Sequence, residues 1–335
     1  MKEVLVSEGP IARIHDVPVP RPGPGQVIIK VIVSGSNPKD WKVPIWFDRT
    51  LNSGDDIAGV IHEVGENVTE FAVGDRVAAF HEMMMPHGSY AEYAVAWQYT
   101  TFHIPDTTTY EEAAAIPLAA MTSAVALFIR LGLPEPWHPA TEPIPLIIYG
   151  AASAVGAYAI QLAQRANIHP LICVAGQSAP HVEALIDRSK GDTVLDYREG
   201  DAALVAGLRR ASGGRPLRHA LDAVSKPWSY VNIFPVLEPG GSVTFVQDVE
   251  DSEVPSHLKH SRTRVGSVHQ DAKDFGFIYF RYFTRGLQEG WLKPQPQEVV
   301  PGGLAGVQQA LENLRDGKAN AVKYVFRIAE TEGVC

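Results

Sequence analysis

An uncharged run from Pro143 to Gln164, PIPLIIYGAASAVGAYAIQLAQ, constrains this chain more than any other feature. Its length would suffice for a membrane span, since about 20 apolar residues cross a bilayer. Its residues read differently. PLIIYG is a short buried strand, AASAVG a turn of small residues, and AVGAYAIQLAQRA a helix. The rhythm then repeats: PLICVAG strand, APHVEALIDRS helix, DTVLDY strand, DAALVAGLRRAS helix, and the strands LRHALDAV and GSVTFVQ. Strand and helix in alternation imply a parallel sheet with helices packed on it.

A strand that passes through a tight small-residue turn into a helix has the layout of a dinucleotide-binding βαβ unit. There the free backbone N–H groups and the helix dipole favour a pyrophosphate. The three glycine places of G-x-G-x-x-G are taken by Ala151, Ser153 and Gly156. Small residues at the first two still let the backbone approach phosphate, the Ser153 hydroxyl adds a donor, and Gly156 lets helix close on strand. The expected cradle is Gly150, Ala152, Ser153, Ala154, Val155 and Gly156. An ordinary strand-to-helix turn is the alternative.

At the end of the next strand, about 20 residues on, an NAD-selective site carries Asp or Glu for the adenosine ribose. This chain has Ala175, Gly176, Gln177 and Ser178 there, and no acidic residue between Glu142 and Glu183. Nothing repels a 2′-phosphate, so NADPH is the expected cofactor. Ser178 and His181 are the expected donors to it, unless they only cap the following helix. Arg198 and Lys190 lie farther along.

Upstream, QVIIKVIV, GVIHEVG and DRVAAF are β-rich runs between Pro, Gly and Asn, the texture of a compact β domain. AAAIPLAAMTSAVALFI (Ala113 to Ile129) predicts a buried helix. Beyond about residue 265, FGFIYFRYF and GLAGVQQALENLRDG predict helices and KYVFRI a closing strand, so the tail is expected to rejoin the first domain. The expected division is 1–118 with 266–335 against 119–265.

A formal net charge of -9 disfavours nucleic acid and anionic lipid as partners and leaves a small molecule. Two cysteines, Cys173 and Cys335, are too few for a disulfide framework or a thiolate zinc site. The N-terminus MKEVLVSEGPIARIHD lacks the apolar stretch of a secretory signal. Together these predict a cytoplasmic location.

Several stretches in fixed order resemble the medium-chain dehydrogenase/reductase superfamily: NPKDWK (Asn37 to Lys42), GDDIAGVIHEVGENVTEFAVGDRVAAF (Gly54 to Phe80), HGSYAEYAV (His87 to Val95), the Ala113 segment, the nucleotide turn, and VLDYRE (Val194 to Glu199). The resemblance covers almost the whole chain. It implies an α/β protein with a GroES-like β-rich catalytic domain and a Rossmann-type doubly wound nucleotide domain, with a cleft at their junction.

Many members of that superfamily are zinc alcohol dehydrogenases. Here the positions of two catalytic zinc ligands fall at about Asn37 and Asp55, and HEMMMPHGS replaces the lobe of structural-zinc cysteines, so no metal is expected. The chain is similar to zinc-independent quinone oxidoreductases, and more closely to the trans-acting enoyl reductases that serve polyketide synthases. In those, the lysine closing NP-x-D-x-K, here Lys42, lies at the substrate. The resemblance also implies Thr122 near the nicotinamide and Tyr197 near the 2′-phosphate. Asn37 and Asp40 are candidates beside Lys42, although with Pro38 they suit a turn equally well.

The function expected is NADPH-dependent reduction of an activated C=C bond, on a free enone or on an enoyl group carried by a polyketide synthase. An NADPH:quinone oxidoreductase and a non-catalytic NADPH-binding structural or regulatory protein are the alternatives. The resemblance allows monomer or homodimer.

Overall fold

In the computed structural model, which describes residues 1–334, the chain divides into two compact units: Met1–Met121 with the segment from Gly266 onward, and Thr122–Val265. In chain order the first unit holds β1 (Lys2–Ser7), β2 (Ile11–Asp16), β3 (Gln26–Gly35), α1 (Lys39–Phe47), β4 (Asp56–Val64), β5 (Arg76–Phe80), β6 (Tyr93–Trp97), β7 (Thr101–His103) and α2 (Tyr110–Ala114). After α3 (Pro117–Ala124) come β8 (Leu146–Tyr149), α4 (Ala154–Arg165), β9 (Leu171–Ala175), α5 (Ala179–Glu183) and β10 (Thr193–Asp196). The second unit continues with α6 (Asp201–Ala211), β11 (His219–Asp222), α7 (Pro227–Ile233), β12 (Ser242–Phe245) and β13 (Lys259–Arg262). The tail supplies α8 (Lys273–Glu289), β14 (Gln297–Val299), α9 (Val307–Arg315) and β15 (Lys323–Arg327).

The first unit is built on a sheet in the order β14-β15-β3-β4-β5-β7, with β6 also pairing β3. Most of its pairings are antiparallel, and β15 from the tail lies directly against β3. A strand covered on both faces has no reason to alternate. That is why β3 reads as a nearly unbroken apolar run, with Val27, Ile28, Ile29, Val31 and Val33 all buried.

The second unit is a parallel sheet in the order β10-β9-β8-β11-β12-β13. The chain leaves β8 first to one side and later to the other, which makes the carboxyl end of β8 the switch point where ligands of such sheets bind. α4 is uncharged until Arg165 because every residue from Gly156 to Ala163 is buried. Among the described residues no helix is long and apolar enough to cross a membrane.

Two predicted helices are shorter than their patterns. The Ala113 to Ile129 segment breaks into α2, α3 and a π-helical turn at Val125–Arg130. Being apolar all round, it carries no period from which breaks can be read. The APHVEALIDRS segment is helical only in α5, followed by a separate turn at Arg188–Lys190. There the Asp187 carboxylate accepts from the Ser189 N–H, Asp192 accepts from the Asp187 N–H, and Gln164 Nε2 donates to the Leu185 carbonyl. Side chains thus take over the backbone bonds that would have continued the helix.

Candidate active site

The turn after β8 is built for close approach. Gly150 has φ +75°, and a Cβ there would stand 2.7 Å from Val224 Cγ2. A Cβ on Gly156 would stand 2.4 Å from the Gly150 carbonyl oxygen, so only glycine lets α4 sit this near its strand. Ser153 is the N-cap of α4, its hydroxyl oxygen accepting from the Gly156 N–H at 3.1 Å. Ala154 and Val155 are the first two helical residues, whose N–H groups have no partner one turn earlier. The first turn of α4 has no acidic residue, and the Ser123 hydroxyl at the end of α3 anchors it by donating to the Val155 carbonyl at 2.7 Å. Thr122, one residue before, is buried. A phosphate cradle needs small residues, free N–H groups and no competing carboxylate; this turn has all three, and the residues fit a dinucleotide pyrophosphate.

At the end of β9, Gly176 packs against Tyr197 from the turn after β10; a Cβ on Gly176 would lie 2.6 Å from the Tyr197 ring. Ser178 occupies the N-cap position of α5 but makes no side-chain cap bond, and His181 lies within that helix. Arg198 grips Asp196, with Nε at 2.9 and 3.0 Å from the two carboxylate oxygens, and holds that carboxyl below its ordinary range.

In the first unit, α1 stands on a buried polar network. The Asn37 N–H donates to Asp40 Oδ2 at 2.7 Å, and the Tyr90 hydroxyl donates to the same oxygen at 2.5 Å. The Lys39 ammonium forms an ion pair with Asp40 Oδ1 at 2.9 Å and donates to Asp55 Oδ2 and the Ser53 carbonyl. His81 Nδ1 faces the other Asp55 oxygen at 2.8 Å. Beside this, the Lys323 ammonium bonds Asn37 Oδ1 at 2.7 Å and Asp56 Oδ2 at 2.6 Å, while Asn37 Nδ2 donates to Asp56 Oδ2 at 2.8 Å. Burial drives Asp40 up to about 6 in spite of Lys39. Asp55 suffers the same burial, yet Lys39 and His81 together take it below its ordinary range.

Asn37 and Asp40 are therefore interior residues joined to each other. Lys42, from the same helix, is partly exposed, with its Nζ 5.5 Å from the Trp41 ring and 5.9 Å from the Trp46 ring. The sequence pattern gave no hint of the roles of Lys39, His81, Tyr90 and Lys323. Their partners lie far away in the chain, and a pairing such as Tyr90 with Asp40 leaves no local trace.

The position of Asp55, where the resemblance puts a zinc ligand, is filled by an ion pair. A metal there would have to displace the Lys39 ammonium, and Asn37 offers a neutral amide already bonded at both ends. Among the described residues no group of three or more His, Cys, Asp or Glu is placed to hold a metal. The donor set does not fit zinc.

The Alcohol dehydrogenase GroES-like domain matches residues 23–106. The trans-enoyl reductase fsr4 of Gibberella fujikuroi is 52% identical over 91% of this chain and 92% of its own. The trans-enoyl reductase pvhC of Talaromyces variabilis is 28% identical over 93% and 92%. The crystal structure of CurK enoyl reductase superposes with a TM-score of 0.76 over 97% of this chain and 98% of its own, at 19% identity. With a relative 52% identical over nine-tenths of the chain, the protein belongs to the trans-enoyl reductases of the medium-chain dehydrogenase/reductase superfamily and is an oxidoreductase.

Proposed function

We propose that the protein uses NADPH, without zinc, to reduce an activated C=C bond of an enoyl group carried by a polyketide synthase. The similarity to trans-enoyl reductases supports the reaction and the class of partner. For the cofactor, the carrying observation is the end of β9, which carries no carboxylate of its own: Gly176 packs against Tyr197, Gln177 and Ser178 follow, and the nearby Asp196 of β10 is paired with Arg198. Gly150, Ala152, Ser153, Ala154, Val155 and Gly156 would hold the pyrophosphate, Ser178, His181 and the Tyr197 hydroxyl the 2′-phosphate, and Thr122 the nicotinamide end.

When bound, NADPH supplies a hydride to the β-carbon of the enoyl group. As that bond forms, the C=C π electrons move onto the carbonyl and leave an enolate. The Lys42 ammonium stabilises the negative oxygen and passes a proton from Nζ to the α-carbon, recovering it from water. Asn37 and Asp40 act as positioning residues: they tie the start of α1 to Tyr90 and Asp56, which fixes the backbone that carries Lys42.

The cofactor assignment is tested by the dissociation constants of NADPH and NADH for the wild type, Gly176→Asp and Gly176→Asn. Either side chain must push the Tyr197 ring aside, but only Asp adds a charge beside the 2′-phosphate. The extra repulsion is worth about 1–3 kcal/mol, so Asp should cost NADPH about 10- to 100-fold more affinity than Asn does, whereas NADH should distinguish the two variants little. Tighter binding of NADH than NADPH by the wild type overturns the assignment.

Zinc independence predicts that exhaustive chelation leaves turnover intact and that elemental analysis finds no stoichiometric zinc. One zinc per chain, with turnover lost on its removal, refutes it. NADPH consumption with quinones but with no enoyl substrate, free or carrier-bound, replaces the reaction proposed here by quinone reduction.

A further inference from the structure

Strands β8 to β12 of the parallel sheet start level: His219 of β11 lies opposite Leu146 of β8 and Ser242 of β12, Leu146 opposite Leu171 of β9, and Thr193 of β10 opposite Ile172. The loops that enter them therefore meet at one edge, at the far end of the sheet from the phosphate turn. Two clefts, of about 350 and 370 Å³, open along that edge and share Arg215. The first adds Arg209 and Glu238, the second Lys190 and Glu142. Neither has a Phe, Tyr or Trp in its lining, so neither is walled like a pocket for a small apolar molecule.

The cations of this edge lack counter-charges. Among the described residues the side chains of Arg210, Arg215, Arg218 and Lys190 make no ion pair or hydrogen bond, and Arg209 donates only to the Pro235 carbonyl at 2.9 Å. All five are exposed, and so are Glu142 and Glu238, which pair with none of them. The stretch RRASGGRPLR, 209–218, holds no acidic residue in a chain whose net charge is -9. The dipole of α6 accounts for Arg209 and Arg210 in its last turn, but not for Arg215 and Arg218 beyond it. An exposed indole stands on the same edge. The loop before β8 is tied down there, the Ala140 N–H donating to the Ala166 carbonyl at 2.8 Å and Asn167 Nδ2 to the Ala140 carbonyl at 2.7 Å. Three residues earlier, between Pro136 and Pro139, Trp137 is 45% exposed. Tryptophan and arginine are the side chains that dominate the centres of protein interfaces.

We propose that this edge of the second unit, with Trp137 and the arginines 209, 210, 215 and 218, is the docking surface for an acidic face of the polyketide synthase that carries the enoyl group. The proposal rests on the carrier-bound reading of the substrate and adds the surface by which the carrier's protein is recognised. The excess negative charge of the chain repels an acidic partner, whereas this edge attracts it, which orients the encounter. Lying at the opposite end of the sheet from the phosphate turn, the docked partner leaves the cofactor end open.

The experiment compares one enoyl group in two forms, carried by a purified polyketide synthase and as the free N-acetylcysteamine thioester. KM and kcat are measured at low and high salt for wild type, Trp137→Ala, and the double variant Arg215→Glu with Arg218→Glu. At low salt each variant should raise KM for the synthase-borne group about 10-fold or more, with kcat and both constants for the free thioester near wild type. High salt should bring the wild-type and charge-reversed KM values together, because it screens exposed charges, and should leave the Trp137→Ala deficit in place.

Turnover of the free thioester reports at the same time that each variant is folded and binds its cofactor. A synthase KM that neither variant moves, or equal losses on both substrates in both variants, overturns the docking surface. If that KM stays put while the charge reversal abolishes binding of duplex DNA, the edge belongs to nucleic acid instead. Wild-type turnover of the free thioester but not of the synthase-borne group overturns the carrier-bound reading on which the docking surface rests.

Discussion

Lys42→Ala is expected to lower turnover about 100-fold or more while leaving folding and NADPH affinity as they are, the usual cost of removing one electrostatic contact from a reacting centre. The ammonium is partly exposed and lies near two indole rings, Trp41 and Trp46. Each cation–π contact is worth about 0.5–1 kcal/mol at such a site, enough to hold the charge in place without neutralising it. Its backbone is fixed as well, because Asp40, two residues earlier, is held by the Asn37 N–H and the Tyr90 hydroxyl. A long cation of this kind also covers apolar surface with its stem, so Ala removes packing as well as charge. Lys42→Met separates the two: it keeps the stem over Trp41 and should lose turnover as fully as Ala. Turnover within about threefold of wild type in both variants, on a confirmed enoyl substrate, would remove Lys42 from the mechanism and leave water or a backbone N–H to serve the enolate.

What the sequence makes legible here follows the range of the interactions. The centre of the parallel sheet is readable because β8, β9, β11 and β12 are buried runs and the helices have their own period; Leu204 and Leu208 are apolar because they pack on Ile172 and Val174 of the sheet, and a few residues suffice to see it. The phosphate turn is readable for the same reason, since Ser153 caps the N–H of Gly156 only three residues away. The network under α1 is not. Asn37 meets Lys323 across 286 positions and Asp40 meets Tyr90 across 50, so the polar residues of NPKDWK show their chemistry but not their partners. Lys42 and Lys39 look alike in sequence. One lies beside two indoles, partly open to water, and the other is clamped between carboxylates; only the fold distinguishes them.

Lys39→Met is expected to destabilise the first unit by about 3–5 kcal/mol near neutral pH, because it strands the buried Asp40 and Asp55 carboxylates without their shared cation. For a unit of this size that corresponds to a fall in Tm on the order of 10 °C. The pH dependence distinguishes lost charge from lost packing. In the wild type, burial raises Asp40 to about 6, so between its ordinary 3.8 and that value the native carboxyl holds a proton that the unfolded chain has released, and stability from this group falls as pH rises through the window. Asp55 is shifted the other way, below its ordinary value; its contribution is full above 3.8 and is lost as pH falls through its native value. Lys39 is raised despite its burial, since Asp40 and Asp55 outweigh desolvation, so its contribution is full below 10.5 and is lost only as pH climbs through its native value. From about 6 to 10 all three charges therefore stand together. With Lys39 replaced, both carboxyls lose the cation that lowers them, and each keeps its proton to a higher pH in the folded state. The variant should then be hurt most at pH 8 and recover as pH falls toward 5, where protonation relieves the stranded charge. Lys39→Arg, which keeps the cation in a larger group, should lose less at pH 8 than Met does. Melting curves of the three proteins at pH 5 and pH 8 decide the matter: a Met deficit that is the same at both pH values would assign Lys39 a packing role and dissolve the electrostatic account of how α1 is held.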